Sequence, residues 1–409
     1  MDPGNSMSWI HSFLYLCLVI ASVHVLNTIF ISPKLALDHQ NARVKRVAPL
    51  PLRFRADGTF TILQVADMHF GNGKLTRCRD VLESEFEYCS DLNTTRFLEK
   101  MIQLENPDFV AFTGDNIFGS SASDAAESLL EAFGPVMKSG IPWAAVLGNH
   151  DQESTMTREE LMSFISLMDF SLSQTFPSVE ETSNHNKQHP VPKIDGFGNF
   201  DLRVWGAPGS SFANSSVLNL YFLDSGDRAF VDGIWTYDWI KESQLNWLRR
   251  VSQKVQEQKL DSKESPIVSP HSTISPSLAF FHIPIPEIKQ GPIYNVVGKY
   301  REWVACSLVN SGVLNTLVSM GDVKAVFIGH DHKNDFCGTL GGLWFCYGGG
   351  FGYHGYGKAG WPRRSRVILA ELAKGEKSWS GVGRIKTWKR LDDEKLSKID
   401  EQILWERRP

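Results

Sequence analysis

The core of the chain is marked by short apolar runs that are continuous rather than alternating. Five runs rich in Val, Ile, Phe or Ala lie at Phe60–Ala66, Phe109–Thr113, Trp143–Leu147, Leu278–Phe281 and Val323–Ile328. Such runs are typical of strands that are buried on both faces of a sheet. Apolar residues at helical spacing lie between several of the runs, and they predict helices at Thr94–Glu105, Asp124–Lys138 and Ser243–Val255.

A second group of strands is predicted from shorter apolar segments, at Arg203–Trp205, Val217–Leu223, Leu343–Tyr347 and Arg366–Glu371. Two groups of strands with helices between them predict an α/β protein of two sheets flanked by helices. We place the folded domain at residues 55–372, after a linker at 33–54 and before a C-terminal extension at 373–409.

The first 32 residues read as a targeting segment. No charged residue lies between Trp9 and Ile31. This stretch is a signal peptide or an uncleaved signal anchor, since about 20 apolar residues are enough to span a bilayer. Both alternatives predict the secretory pathway, with a secreted or extracellular protein in the first case. In the second case the protein is membrane-anchored with its folded domain in the lumen, and a membrane is expected as a partner only then.

Glycosylation sequons and cysteines agree with that route. Asn93 and Asn214 each begin an Asn-x-Ser/Thr sequon. Four cysteines form two close pairs along the chain, which predicts the disulfides Cys78–Cys89 and Cys337–Cys346 and leaves Cys306 single. The alternative of free buried thiols stays open at this point.

The composition of the 409-residue chain is that of an ordinary globular protein, with 42% apolar and 22% charged residues. The formal net charge is −4. Because no broad basic field is implied, nucleic acid is not expected as a partner.

Polar side chains follow all five buried runs, at the point where each strand ends. In chain order they are Asp67 and His69, then Asp115, then Asn149, His150 and Asp151, then His282, and finally His330 and His332. Sites in α/β sheets form at the carboxyl ends of the strands, so these side chains are expected to meet.

The chemistry of these side chains suits metal ions. Carboxylate, amide oxygen and imidazole favour Fe, Mn or Zn, and no Cys lies in the motifs. Two cations about 3.5–4 Å apart can clamp a phosphate ester and activate a hydroxide as the nucleophile. Asp115 is the carboxylate placed to bridge them, and a histidine that is not a ligand can protonate the leaving oxygen.

The order of motifs, Asp-x-His, Gly-Asp, Gly-Asn-His-Asp, His and Gly-His-x-His, resembles the signature of the calcineurin-like metallophosphoesterases. Within that superfamily the chain is similar to the short plant purple acid phosphatase-related proteins, some of which are labelled inactive, and to fungal relatives. The resemblance implies a two-sheet αββα sandwich with the metal site at the carboxyl ends of the strands.

The resemblance also implies roles for individual residues. It assigns Asp67, His69 and His332 to the first metal, Asn149, His282 and His330 to the second, and Asp115 to both. His150 is expected to contact the phosphoryl group or protonate the leaving oxygen, oriented by Asp151. Asn149 and His282 are expected to contact the substrate as well.

The expected function is therefore hydrolysis of phosphate esters, with monoesters favoured over diesters. Its substrate would be a phosphorylated small molecule or a phosphoprotein. The alternative is a catalytically weak or inactive phosphatase-like protein that has a binding or regulatory role.

Two departures from the purple acid phosphatase pattern bear on the metals. Those enzymes usually have Asp-x-Gly at the first motif and a metal-bound Tyr three residues after the bridging Asp. Here His69 stands in the first motif and Phe118 stands in place of the Tyr. Phe has no ligating atom, so an imidazole replaces the phenolate and the preference for Fe(III) is not expected to carry over.

Overall fold

The computed structural model describes residues 3–26, 45–178, 193–261, 274–375 and 378–407. The chain forms two compact units, residues 1–46 and 47–409. In the first unit a helix, α1, covers Pro3–Leu26. Residues 27–44, which hold the end of the predicted targeting segment and most of the predicted linker, lie outside the described residues. Across the described ranges, no helix is both long enough and apolar enough to cross a bilayer.

The second unit is built on strands. In chain order they are β1 (Leu52–Arg53), β2 (Thr59–Val65), β3 (Phe109–Thr113), β4 (Trp143–Val146), β5 (Phe200–Trp205), β6 (Ser216–Phe222), β7 (Arg228–Val231), β8 (Ile234–Tyr237), β9 (Ser277–Phe280), β10 (Tyr294–Val297), β11 (Val323–Ile328), β12 (Cys337–Leu340), β13 (Leu343–Tyr347), β14 (Arg364–Lys374), β15 (Trp379–Leu391) and β16 (Lys398–Glu406). All five strands predicted from continuous apolar runs are present, within a residue or two of the predicted ends.

These strands form two large sheets and a separate hairpin. One sheet has six strands in the order β16-β15-β14-β2-β3-β4, and the other has eight in the order β1-β5-β6-β9-β11-β13-β12-β10. Strands β2, β3 and β4 are parallel, as are β6, β9, β11 and β13. The hairpin consists of β7 and β8.

The two sheets pack face to face. Phe60 and Phe109 from the six-stranded sheet share one buried cluster with Phe222 and Phe280 from the other sheet. The rings of Phe109 and Phe222 lie 6.2 Å apart across this interface. The main apolar core therefore fills the space between the sheets.

Helices cover the outer faces. After α1 they are α2 (Glu83–Phe86), α3 (Asp91–Glu105), α4 (Ala125–Ser139), α5 (Arg158–Leu167), α6 (Glu242–Asp261), α7 (Pro286–Gln290) and α8 (Val313–Met320). Helices α3 to α5 bury Phe97, Phe133 and Leu161 against the six-stranded sheet. Helices α6 to α8 bury Leu248 and Leu317, among others, against the eight-stranded sheet. The predicted sandwich with helices outside is thus confirmed.

Local signals in the sequence set the ends of the outer helices. Ser90 caps α3 by accepting from the Leu92 N–H, and Asn106 ends it in the left-handed conformation. Asp124 caps α4 by accepting from two backbone N–H groups, and Gly140 ends it in the same conformation. Short polar residues are preferred at the N-cap of a helix, and glycine or asparagine is preferred where a helix ends in the left-handed conformation.

The grouping of strands differs from the prediction. The segment Arg366–Glu371 was expected to join the second group, but β14 pairs antiparallel with β2 and belongs to the sheet of β3 and β4. Conversely, β9 and β11 come from the first group of runs but pair with β6 and β13 in the eight-stranded sheet. The apolar pattern of a strand does not specify its partner. The predicted end of the domain at residue 372 falls inside β14, and the chain beyond it adds β15 and β16 to the same sheet.

Both predicted disulfides, Cys78–Cys89 and Cys337–Cys346, are present in the structure. The second joins directly paired residues of β12 and β13. Cys306 is a free thiol.

The two predicted glycosylation residues lie in different settings. Asn214 is exposed in the turn before β6. Asn93 is half-buried in the first turn of α3, where its Oδ1 accepts from the Ser90 N–H at 3.3 Å.

Candidate metal centre

The two sheets bring their carboxyl edges together at one seam. Strands β2, β3 and β4 carry Asp67 and His69, Asp115, and Asn149 to this seam from the six-stranded sheet. Strands β9 and β11 carry His282, and His330 and His332, from the eight-stranded sheet. Buried Gln64 ties the sheets beside them, because its Nε2 donates to Thr113 Oγ1 and to the Ile328 carbonyl, both at 3.1 Å.

The predicted ligands form two overlapping clusters. In the first, ligand atoms of Asp67, His69, Asp115 and His332 all lie within 4.8 Å of one another. In the second, the same holds for Asp115, His282 and His330. Asn149 adds its Oδ1, which lies 3.2 Å from His282 Nε2. Asp115 is the residue common to both clusters. We call these seven residues the metal floor: Asp67, His69, Asp115, Asn149, His282, His330 and His332.

The backbone fixes the carboxylates of the metal floor. Asp115 Oδ1 accepts from the His150 N–H at 2.8 Å. Asp115 Oδ2 is then left facing His282 Nε2 at 3.2 Å and His69 Nε2 at 3.4 Å. Asp67 accepts in the same way from the His330 N–H, at 2.9 and 3.1 Å. Each acidic ligand is thus held by the backbone of another motif.

Two of the imidazoles are oriented as metal ligands are. His282 Nδ1 lies 2.8 Å from the Thr113 carbonyl, and His332 Nδ1 lies 2.8 Å from the Tyr356 carbonyl. A neutral ring that donates through Nδ1 presents the lone pair of Nε2 to the cluster. His332 Nε2 also lies only 2.9 Å from His69 Nε2. Nitrogen atoms turned towards each other at this distance fit a shared cation.

Backbone strain is concentrated at the same place. Asp67, His69, Asp115 and His330 have φ between 48° and 78°. This left-handed region is uncommon for residues other than glycine, and its occurrence at functional sites shows that the surroundings hold the chain there. Gly148 contributes by its lack of a side chain, since a Cβ at this position would overlap the Asp115 carboxylate. The loops therefore hold the ligand atoms at the cost of local strain.

The electrostatics of the metal floor follow from its burial. Burial lowers the pKa of His69 to about 4, and burial together with nearby His282 lowers the pKa of His330 to about 3. Burial also opposes charge on His282, but the Asp115 carboxylate outweighs it and raises the pKa of that imidazole to about 9. Against the same burial penalty, His282 and His69 hold the pKa of Asp115 well below its usual range. The floor therefore favours an ionised Asp115 carboxylate beside neutral imidazoles at His69 and His330, which is the donor state that metal binding requires. His282 favours the protonated form, so a metal that binds there has to displace its proton.

The expected link between Asp151 and His150 is not formed. Asp151 is fully buried, and its carboxylate accepts from the backbone N–H groups of Ile117 and Gly148 and from the Asn116 side chain. Burial, reinforced by neighbouring Asp115, raises its pKa to about 6. Asp151 instead fixes the loops that carry Asp115 and Asn149, because its carboxylate accepts from groups of both loops.

Glu153 takes the place expected for Asp151. Its Oε1 lies 2.9 Å from His150 Nδ1, within ion-pair distance though without the alignment of a hydrogen bond. The same oxygen lies 3.1 Å from Arg228 Nη1, and this guanidinium also donates to the Asn149 carbonyl at 3.0 Å. Sequence reasoning missed Glu153 and Arg228. The only signal for Glu153 in the sequence is its His-x-x-Glu spacing from His150, and no local pattern marks Arg228.

Aromatic rings complete the surroundings of the metal floor. Phe118 lies 5.3 Å from the His69 ring and 4.8 Å from the His150 ring, measured between centroids. Tyr356 stacks on His332 at 3.9 Å, and Tyr237 of the hairpin meets His330 edge-on at 4.4 Å. We call His150, Glu153, Arg228, Tyr237 and the rest of the β7–β8 hairpin the outer wall.

The donor set fits two cations of hard to borderline character. Buried carboxylates, an amide oxygen and imidazoles converge without a thiol, as Fe, Mn and Zn sites require. A shared carboxylate is the usual way to offset the repulsion between two adjacent cations. A two-sheet sandwich with such a centre at its seam defines a class of metal-dependent phosphoesterases.

The chain belongs to the calcineurin-like phosphoesterase family, whose model matches residues 60–334. It is 61% identical over 98% of its length to "Probable inactive purple acid phosphatase 28" of Arabidopsis thaliana, covering 97% of that protein. It is 51% identical to "Probable inactive purple acid phosphatase 29" of the same plant, over 87% of this chain and 88% of that protein. It is 34% identical to "Phosphatase DCR2" of Saccharomyces cerevisiae, over 85% of this chain and 56% of that protein.

Proposed function

We propose that this protein is an active two-metal hydrolase of phosphate esters, with monoesters preferred over diesters. The observation that carries the proposal is the completeness of the metal floor. The acidic and histidine ligands expected for each metal lie together in one of the two clusters, and Asp115 is common to both. A chain that had lost catalysis would be free to lose ligands, and none of the expected ligands is missing here.

The first metal would be held by Asp67, His69 and His332, the second by Asn149, His282 and His330, and Asp115 would contact both. When bound, such ions supply activation of water and neutralisation of charge on the phosphoryl oxygens. Their identity is proposed to be Fe, Zn or Mn. The neutral imidazole at His69, in place of a phenolate, removes one negative charge and favours divalent ions at the first site.

The chain's own residues would assist the reaction from the outer wall. His150 lies beside the metal floor and contributes only its backbone N–H to Asp115. Its side chain, held by Glu153, is free to donate a proton to the leaving oxygen of the ester. Arg228 stands next to it, paired with Glu153 and Asp227 at 3.1 Å each, and its guanidinium would offset part of the charge of a phosphate bound there.

The alternative function is a catalytically weak or inactive protein with a binding or regulatory role. The names of the two plant relatives favour this alternative, and the name of the yeast relative favours an active phosphatase. The two departures at His69 and Phe118 exchange a phenolate ligand for an imidazole and leave the number of ligands unchanged. This supports activity.

We further propose that the protein enters the secretory pathway and carries a glycan at Asn214 and at Asn93. The two disulfides support an oxidising compartment. The substrate would be a phosphorylated small molecule or a phosphoprotein met there.

A panel of phosphomonoesters and phosphodiesters tests the proposed activity. The purified protein is assayed as isolated, after removal of metals with a chelator, and after restoration with Fe, Zn or Mn. We expect turnover of monoesters that the chelator abolishes and one of the metals restores. Metal binding without turnover of any ester would instead support the alternative of an inactive relative.

A further inference from the structure

A pocket of about 470 Å³ opens beside the second metal cluster. One side is formed by the β7–β8 hairpin and the other by the segment 304–308. The two sides are joined where the Leu308 N–H donates to Thr236 Oγ1 at 2.9 Å. This volume lies within the usual range for small-molecule sites, about 300–1,000 Å³.

Three residues that line this pocket, two on the hairpin and one on the opposite segment, each contact a residue of the metal motifs. Tyr237 meets the ring of His330, and Arg228 donates to the Asn149 carbonyl. On the opposite side, the Ala305 N–H donates to the Asp331 carboxylate at 3.2 Å. The pocket therefore adjoins the place where a phosphoryl group would bind at the metal floor.

The lining of the pocket is apolar with two cations. Trp235 is 72% exposed, Leu308 is 63% exposed and Ile234 is 56% exposed. The charged side chains of the lining are Arg228, which pairs with Glu153 and Asp227, and Lys289, which forms no ion pair within the described part of the chain. Large apolar side chains left open beside a polar centre mark a binding surface, and the cations suit an anionic ester.

We propose that this pocket binds the leaving group of an aryl phosphate monoester, a flat apolar ring attached to the ester oxygen. The inference rests on the proposed function and names its substrate class. Trp235 and Leu308 would contact the faces of the ring, and Arg228 would stand beside its phosphate. Such a ring can come from a free small molecule or from a phosphotyrosyl side chain.

A labelling experiment tests binding independently of turnover. Cys306 is a free, half-buried thiol that lines the pocket, so its rate of alkylation reports occupancy. The metal-loaded full-length protein is treated with N-ethylmaleimide, and the Cys306 peptide is followed by mass spectrometry. With 1-naphthylphosphonate at about ten times its Kd, labelling should slow about tenfold, in proportion to the unoccupied protein. Inorganic phosphate at an equivalent occupancy should protect far less. Equal rates with the two ligands would overturn the proposal, even in a protein with no turnover.

Substrate selectivity provides the second arm. The ratio of kcat/KM for 1-naphthyl phosphate to that for phenyl phosphate is compared between variants, which cancels differences in leaving-group acidity. Trp235→Ser and Leu308→Ser should each lower this ratio by about tenfold, the usual effect of lost apolar contact in a specificity pocket. Trp303→Ser is the matched control, since Trp303 lies directly before segment 304–308 and is 84% exposed but does not line the pocket.

An unchanged ratio in both pocket variants, or an equal fall in the control, would contradict the proposal. Leu308 lies outside the hairpin, so its variant decides the matter if Trp235→Ser disturbs folding. A phosphotyrosyl peptide and a phosphoseryl peptide of the same sequence then separate the two sources of the ring. Hydrolysis of naphthyl phosphate alone assigns the pocket to small molecules, and hydrolysis of the phosphotyrosyl peptide as well extends it to protein substrates.

Discussion

The metal floor and the outer wall face the same space but are built in different ways. No residue of the floor is more than 7% exposed, whereas the side chains of His150, Glu153 and Arg228 are 26%, 23% and 37% exposed. The floor is attached directly to the ends of parallel strands and held by backbone hydrogen bonds. The wall comes from loops and a two-stranded hairpin outside both sheets. The floor is therefore suited to holding metal, and the wall to adjusting how the substrate is bound and protonated.

This contrast predicts that changes in the floor act on metal content, whereas changes in the wall act on substrate binding and turnover without loss of metal. The largest effect should come from Asp115→Asn. Losing the charge common to both clusters should remove both metals, or leave one weakly bound, and abolish hydrolysis. Metal content per chain and turnover of a monoester check this outcome.

The matched control is Asp322→Asn. Asp322 is equally buried but lies just before β11, at the end of that strand away from His330, where it accepts from Tyr221 Oη and Ser277 Oγ. Its variant should lose stability while retaining its metals. If Asp115→Asn kept both metals and the wild-type rate, the floor would be misassigned.

His150→Ala should break the wall without affecting the floor. The variant should keep both metals and lose about 10²- to 10⁴-fold in turnover, the usual contribution of general acid–base catalysis. Metal analysis and steady-state kinetics distinguish the two effects. Loss of metal from this variant would make His150 a ligand instead of a proton donor.

Glu153→Gln should have a smaller effect through the same imidazole. Because Glu153 lies 2.9 Å from His150 Nδ1, the substitution should lower turnover about tenfold, as removal of an orienting partner does. In a His150→Ala background the same change should have no further effect, since the two residues act as one unit. Additive losses in the double variant would show that Glu153 acts separately.

The smallest expected difference is spectroscopic. Phe118 stands where purple acid phosphatases usually have a metal-bound Tyr, whose phenolate on Fe(III) absorbs visible light. Phe has no such oxygen, so this protein should be colourless or faintly yellow with any metal. Phe118→Tyr combined with His69→Gly should shift the first site towards Fe(III) and introduce a visible absorption band. A purple wild-type protein would mean that another tyrosine reaches the metal.

The sequence indicated the floor because each ligand directly follows a buried strand. Runs such as Phe109–Thr113 are continuous and apolar, and the residues after them are of metal-binding type. Parallel strands of one sheet end at a common edge, so this pattern was enough to group the ligands within each sheet. The resemblance to the metallophosphoesterases then placed the two groups at one centre.

The wall could not be predicted in this way. Arg228 lies far along the chain from Asn149 and Glu153, and its contacts depend on how a hairpin outside the sheets folds back. The pairing of β14 with β2 could not be predicted for a related reason, since apolar strands of similar composition fit several partners. Long-range choices among similar segments are set by packing, and no local signal records them.

The account depends most directly on two metals acting together in hydrolysis. The decisive measurement is a titration of metal-free protein with the activating metal, followed by the initial rate of phenyl phosphate hydrolysis. The rate should rise to a plateau at two equivalents per chain, with little activity before the second ion binds. Full activity at one equivalent, or no hydrolysis at any metal concentration, would contradict the two-metal mechanism.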